Sequence, residues 1–156
     1  MTRIRPVTAA DAEAWLDMRR ALWPEGSERE HRHEITSFFA GTSREPAAVL
    51  IAVEATGRHV GFAELSIRPY AEGCESDRVA YLEGWYVIPD ARRRGVGRAL
   101  IRAAEQWAIE QECGEFGSDA LLDNHVSDAA HRALGFEEIA QLRCFKKTLV
   151  PQRERA

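Results

Sequence analysis

Arg92-Arg93-Arg94-Gly95-Val96-Gly97-Arg98 places four arginines and two glycines in seven residues, between an apolar strand-like run and a long helix-like run. A glycine-punctuated, basic turn that opens a helix suits a phosphate group. The first N–H groups of a helix lack partners, its dipole favours negative charge there, and glycine lets a ligand approach the backbone. Glu72, Glu75, Asp77 and Glu83 crowd the segment before this turn. Adjacent regions of opposite sign suit an anionic cofactor beside a cationic substrate. For Glu72, Glu75 and Asp77, solvated surface charge is an equal reading.

The elements around these residues follow from periodicity and turn chemistry. Ile4–Val7 is a short strand candidate, and Thr8 or Asp11 can cap a helix that runs to about Leu22. Trp23-Pro24-Glu25-Gly26 breaks it; Ser27 and Glu30 then form a capping box for a second helix that ends before Gly41. Ala47–Glu54 and Val60–Ile67 pair as a hairpin around Thr56-Gly57-Arg58, and Val79–Ile88 is the next strand. A helix over Gly97–Glu112 turns Ala99, Leu100, Ala103, Trp107 and Ala108 inward. Phe116–Leu121 is a short strand, Ser127–Leu134 a helix, and Phe136–Ile139 and Leu142–Leu149 are terminal strands. This order predicts a mixed α/β sheet with helices on its faces.

At 156 residues, with 45% apolar and 29% charged side chains, the chain is long enough for one domain with its own core. We expect that domain over 1–149 and a frayed tail over 150–156. The net charge of −4 argues against non-specific nucleic-acid binding, and no apolar run reaches the ~18 residues of a membrane span. The start, Met1-Thr2-Arg3-Ile4-Arg5-Pro6, has no apolar signal core, so a cytoplasmic protein is expected. Cys74, Cys113 and Cys144 form no CxxC pair; neither a metal site nor a disulfide framework is indicated, and buried thiols are the default.

Among phosphate loops, a Walker loop lacks its lysine–hydroxyl pair here, and a dinucleotide fingerprint lacks its third glycine. Arg92-x-x-Gly95-x-Gly97, directly after Tyr86-Val87-Ile88-Pro89, resembles the acetyl-coenzyme-A loop of the GNAT superfamily of N-acetyltransferases. The resemblance covers nearly the whole chain and includes Asn124-x-x-Ser127 and His131-Arg132-Ala133-Leu134-Gly135-Phe136. Leu22-Trp23-Pro24, Ser66-Ile67-Arg68, Gly73-Cys74, Tyr81-Leu82-Glu83-Gly84 and Gly117-Ser118-Asp119 resemble more narrowly the small dimeric aminoglycoside 6'-N-acetyltransferases. Ala120-Leu121-Leu122 is more apolar than that pattern, and the segment around Tyr70 is about a residue short.

The resemblance implies a mostly antiparallel central sheet flanked by helices, with a splayed strand pair that admits acetyl-CoA. It implies acetyl transfer to a primary amine of a cationic aminosugar, by direct attack in a ternary complex, and a homodimer. Another amine (a polyamine, an amino acid or a peptide N-terminus) and a non-catalytic CoA sensor are the alternatives. Such chemistry needs carboxylates that hold an ammonium and remove its proton. Asp119 is assigned as the proton acceptor, directly or through water, and Glu83 as the group that orients the ammonium; the reverse assignment stays open. The structural alternatives are an Arg68 ion pair for Glu83 and a capping role near Ser118 for Asp119. Trp23 and Tyr70 are expected at the substrate mouth, with aromatic faces toward the sugar. For Trp23, core filling is an equal reading. By resemblance, a strand bulge frees the Val87 N–H for the developing oxyanion. The amides of Arg93, Arg94, Gly95, Val96, Gly97 and Arg98 would cradle the pyrophosphate, with Arg92 and Arg98 adding charge. Asn124 would contact the pantetheine. His131 is either a packing residue or the acid that protonates the thiolate.

Overall fold

Local rules account for most elements of the computed structural model, which describes residues 1–151. The chain runs β1 (Thr2–Pro6), α1 (Ala12–Leu22), α2 (Glu28–Ala40), β2 (Ala48–Glu54), β3 (His59–Arg68), β4 (Val79–Val87), α3 (Val96–Glu110), β5 (Phe116–Ser118) and α4 (His125–Ala133). The capping box of α2 forms as expected: the Glu30 N–H donates to Ser27 Oγ (3.1 Å) and the Ser27 N–H to Glu30 Oε2 (3.0 Å). Gly41, with φ 70°, ends that helix in the left-handed region where glycine carries no Cβ penalty.

The five strands lie in the order β1-β2-β3-β4-β5; the first three pairings are antiparallel and β4–β5 is parallel. Alternation along β2 and β3 divides the core between the two faces. Leu50, Ala52, Ala63 and Leu65 meet Val96, Leu100, Ile101 and Ala104 of α3, whereas Val49, Ile51 and Phe62 meet Trp15, Leu16 and Met18 of α1 and Ile35 of α2. The inner stripe of α3 is therefore rotated from expectation. Val96, Leu100, Ile101, Ala104 and Ala108 are buried, while Ala99, Ala103 and Trp107 flank them.

Two features decide where the site can form. Glu64 pairs with Gly84 but Leu65 with Leu82, so Glu83 is an extra residue in β4. This bulge shifts the phase of the strand. Tyr81, Gly84 and Tyr86 lie opposite Ser66, Glu64 and Phe62 on the α1–α2 face, and Leu82, Trp85 and Val87 lie on the α3 face. Second, β5 pairs with β4 only from Ala80–Phe116 to Leu82–Ser118. Beyond that point Glu83–Val87 has no partner on that edge, and the two strands part.

Four expectations differ from the structure. Strand β5 ends at Ser118, so Asp119 lies just past it. Residues 136–151 contain neither helix nor strand, because they form no ladder with either edge strand, β1 or β5. Helix α4 begins at His125, with Asn124 as its cap. Of the three free cysteines only Cys113 is buried; Cys144 is exposed on the unpaired segment. The tail expected over 150–156 lies, from residue 152 on, outside the described residues.

Candidate active site

The basic turn connects β4 to α3 through a short 3-10 turn, Pro89–Ala91. Arg93 (φ 63°) and Gly95 (φ 84°) both adopt left-handed conformations, which curl the backbone and aim successive N–H groups outward. No side chain caps α3, so the first-turn amides of Val96, Gly97 and Arg98 are left for a ligand. A Cβ on Gly95 would meet nothing within 4 Å, so this glycine serves the backbone conformation and leaves the approach open. A Cβ on Gly97 would sit 3.2 Å from the Trp85 ring. The Trp85 indole nitrogen is buried without a hydrogen-bond partner among the described residues. Arg93, Arg94 and Arg98 are exposed around this cradle; Arg92 instead turns back, donating from Nε to the Val87 carbonyl (2.8 Å) with its guanidinium 5.6 Å from the Tyr86 ring centroid. Curled backbone, free amides and flanking arginines fit the pyrophosphate of a coenzyme A thioester.

The split between β4 and β5 leads from this turn to the opposite face. Val87 stays in register with Gly61, and the Ile88 N–H donates to the Val60 carbonyl (2.9 Å). Strand alternation therefore aims the Val87 N–H and C=O away from β3, into the split. The bulge lies four residues earlier than the resemblance implied, at Glu83, and Val87 is freed by the loss of its β5 neighbour.

On the α1–α2 face, Arg68 grips Glu83 with two bonds, Nε to Oε1 (2.8 Å) and Nη2 to Oε2 (2.7 Å). The same guanidinium lies 3.6 Å from the Tyr81 ring centroid, and the Tyr81 hydroxyl donates to Asp119 Oδ2 (2.6 Å). Burial, and then the Asp119 carboxylate, raise the Tyr81 phenol well above its ordinary range, so it stays a donor. The two expected carboxylates are thus brought together through Arg68 and Tyr81. The ion pair weighed for Glu83 is present. Sequence reasoning missed the role of Tyr81, which is one tyrosine in an apolar run.

Beside Glu83 opens a cleft of about 620 Å³ whose wall carries Glu25, Glu30, Glu34, Glu45, Glu64 and Glu83. Trp23 lines it, packing edge-on to Phe62 at 6.2 Å, with its ring against Gly84; any Cβ there would sit 2.6 Å from the indole. Glu64 is 2% exposed and pairs with Arg19. Burial pushes the Glu64 carboxyl up to about 7, against the lowering pull of that guanidinium. Its place within the apolar run Val60–Ile67 was a signal in the sequence, of the same kind that singled out Glu83.

Tyr70 stands two residues beyond Arg68 and is 63% exposed. Its neighbour Ala71 packs on Tyr81, Tyr70 itself is not among the residues that line the cleft, and nearby Glu72 raises its phenol. Asn124 accepts the Ser127 N–H at Oδ1 (3.1 Å) as the cap of α4. His131 Nδ1 lies 2.7 Å from the Ser127 carbonyl and Nε2 lies 2.8 Å from Ser118 Oγ, while the ring packs edge-on to Trp85 and Phe136. Both nitrogens are engaged, which favours the packing role.

The family model described as the acetyltransferase (GNAT) family matches residues 13–136. The chain is 58% identical to the aminoglycoside N(6')-acetyltransferase type 1 of Klebsiella aerogenes, covering 94% of this chain and 96% of that one. It is 42% identical to the enzyme of the same name from Stenotrophomonas maltophilia, over 95% and 94%. Among solved structures, AAC(6')-Iy in complex with the bisubstrate analog CoA-S-monomethyl-acetylneamine superposes with a TM-score of 0.88 at 34% identity, covering 96% and 99%. AAC(6')-Ih from Acinetobacter baumannii gives 0.87 at 36%, covering 96% and 100%.

Proposed function

The chain belongs to the acetyltransferase (GNAT) family, and on that premise we propose that it acetylates the 6'-amine of aminoglycosides and so confers resistance to them. The observation that carries this reading is the split between β4 and β5. It joins a phosphate-binding turn on one face of the sheet to a glutamate-lined cleft on the other. Acetyl-CoA supplies a thioester whose acyl group is already activated. The loop amides of Arg93–Arg98 hold its pyrophosphate, and the Val87 N–H in the split meets the carbonyl oxygen as charge develops there. The glutamates and the Trp23 face receive the polycation.

Asp119 takes the proton from the attacking amine, directly or through water, and Glu83 orients the ammonium. The surroundings of the two carboxylates support this order. Glu83 is already matched by the Arg68 guanidinium, whereas the bond to Asp119 comes from a neutral phenol and leaves its charge for the substrate. Arg92, Asn124 and Tyr70 complete the reading: Arg92 steadies the Val87 carbonyl, Asn124 places α4 beside the pantetheine, and Tyr70 covers the sugar.

The catalytic unit spans residues 1–149 in a homodimer within the cytoplasm, where acetyl-CoA is supplied. Residues 136–151 support the dimer. Ile139, Leu142, Phe145 and Leu149 are exposed, Phe145 to 92%, on a segment with neither helix nor strand, and the last strand of the sheet pairs over only three residues. A second copy offers that segment a strand to pair with. Among the described residues, no helix is long and apolar enough to cross a membrane.

Thiol release from acetyl-CoA tests the activity, with kanamycin, tobramycin, spermidine and peptides as acceptors. Fast release with the two aminoglycosides alone is expected. Faster release with spermidine or a peptide would make the enzyme one for another amine. Silence with every amine despite tight CoA binding would make it a sensor. Sedimentation before and after deletion of residues 137–156 tests the dimer; an unchanged oligomeric state would refute the role of this segment in it.

A further inference from the structure

Arg19 sits in the last turn of α1, is 4% exposed, and belongs to no step assigned above. All three of its nitrogens are used. Nη1 pairs with Glu64, Nη2 with Glu34, and Nε donates to His31 Nδ1 (3.2 Å). Because that imidazole nitrogen accepts, the other carries the hydrogen, and His31 Nε2 donates to the Trp23 carbonyl (3.1 Å). The Arg19 guanidinium also lies 4.9 Å from the Trp23 ring centroid. Trp23 is therefore held twice by one residue, at its ring face and, through His31, at its backbone.

A buried guanidinium is expensive unless its charge and its donors are matched. Here two carboxylates more than match it, and the planar fork reaches its three partners from three separate nitrogens, a span the single ammonium nitrogen of a lysine lacks. The three groups so held are wall residues of the acceptor cleft. Glu64 lies on β3, Glu34 on α2 with its side chain 55% exposed at the rim, and Trp23 against Gly84, next to Glu83. They come from three separate elements, and Arg19 touches all of them.

We infer that Arg19 is a positioning residue for the aminoglycoside, setting the spacing of Trp23, Glu34 and Glu64 that the polycation meets. The inference rests on the reading of this cleft as the acceptor site. Without the guanidinium, Glu34 and Glu64 repel each other, Glu64 is buried unpaired, and the indole loses the cation that fixes its face. The side-chain partners of Arg19 are His31, Glu34 and Glu64, none of them in the Arg92–Arg98 turn, so acetyl-CoA binding is left alone.

The test is steady-state kinetics with kanamycin and acetyl-CoA on Arg19→Met, Arg19→Lys, Glu34→Gln and Trp23→Ala, each checked for folding by thermal melting. For Arg19→Met the expected result is a rise of about tenfold in KM for kanamycin. Its kcat should stay within about threefold and KM for acetyl-CoA should not change, because lost binding common to ground and transition states appears in KM. Arg19→Lys should lie between it and wild type. A folded Arg19→Met with wild-type KM overturns the inference. If Arg19→Met does not fold, Glu34→Gln decides: this exposed change should raise KM for kanamycin about threefold, and an unchanged value overturns it. Trp23→Ala separates the two claims. No change in its KM would fail the acceptor-cleft reading itself, whereas a raised KM with Arg19→Met unchanged fails only the role of Arg19.

Discussion

The Tyr81 hydroxyl donates to Asp119 Oδ2 across 2.6 Å and so ties β4 to the residue that follows the end of β5. It is a fixed bond across the point where the strands part, and Arg68, stacked on the same tyrosine ring, holds Glu83.

Asp119→Asn keeps the shape and removes the proton acceptor. Its kcat should fall by about 10²–10⁴-fold, the usual contribution of a positioned base. Tyr81→Phe should reduce kcat about tenfold, since a hydrogen bond to a charged group is worth roughly 1.5–3 kcal/mol. Wild-type turnover in Asp119→Asn would remove it from the mechanism.

Glu83→Gln leaves the Arg68 guanidinium without its two-point partner and places a cation beside the incoming ammonium. The expected effect is a tenfold or so rise in KM for the aminoglycoside, larger than the effect on kcat. A pH–rate series on both carboxylate variants checks the assignment; a collapse of kcat in Glu83→Gln with Asp119→Asn active would exchange the two roles.

Gly84→Ala tests how tightly Trp23 is seated. The new methyl would stand 2.6 and 2.8 Å from two indole carbons, too close for both to remain. The ring must move, at about 1–3 kcal/mol of stability. Denaturant unfolding and KM for kanamycin should both register the change, with KM for acetyl-CoA constant.

Gly95→Ala acts on the other face. The space is open but φ is 84°, so the change adds backbone strain alone, about 1–2 kcal/mol. KM for acetyl-CoA should rise as the turn relaxes, and Gly95→Asn should do less harm because asparagine tolerates that region. Unaltered binding in Gly95→Ala would mean the curl is not needed.

Acid should destabilise the fold through Asp11, which is 3% exposed. Two hydrogen bonds from Arg5, with further bonds from His59 and the Thr8 backbone and hydroxyl, hold its carboxyl far below the usual range despite burial. The folded value lies below the unfolded value of about 3.9, so this stabilisation is complete above about pH 5 and is lost progressively as pH falls from there toward the folded value. Asp11→Asn should be about 3 kcal/mol less stable at pH 7, because it leaves Arg5 and His59 without their anion. Urea unfolding at several pH values should show the difference shrinking toward pH 2.

Local chemistry was legible wherever neighbours in the chain decide the outcome. The capping box of Ser27 and Glu30, the break at Trp23-Pro24 and the basic turn before α3 all depend on residues within a few positions of one another. So does the choice of phosphate ligand, because Arg92-x-x-Gly95-x-Gly97 builds the cradle from consecutive amides. Leu142–Leu149 shows the limit. Its apolar pattern is that of a strand, but a strand needs a neighbour, and the segment pairs with neither edge strand, β1 or β5.

The sequence by itself thus determined the donor side: a curled turn whose glycines, arginines and free helix amides are contiguous. Tertiary structure decided the acceptor side. The bulge at Glu83 turned β4 by one residue, the short β5 opened the split, and Arg19, Glu64, Trp23 and Gly84 met from three elements. Register and strand length are set by cross-strand packing rather than by any one segment, so a shift of a single residue decided which face Gly84, Trp85, Tyr86 and Val87 present.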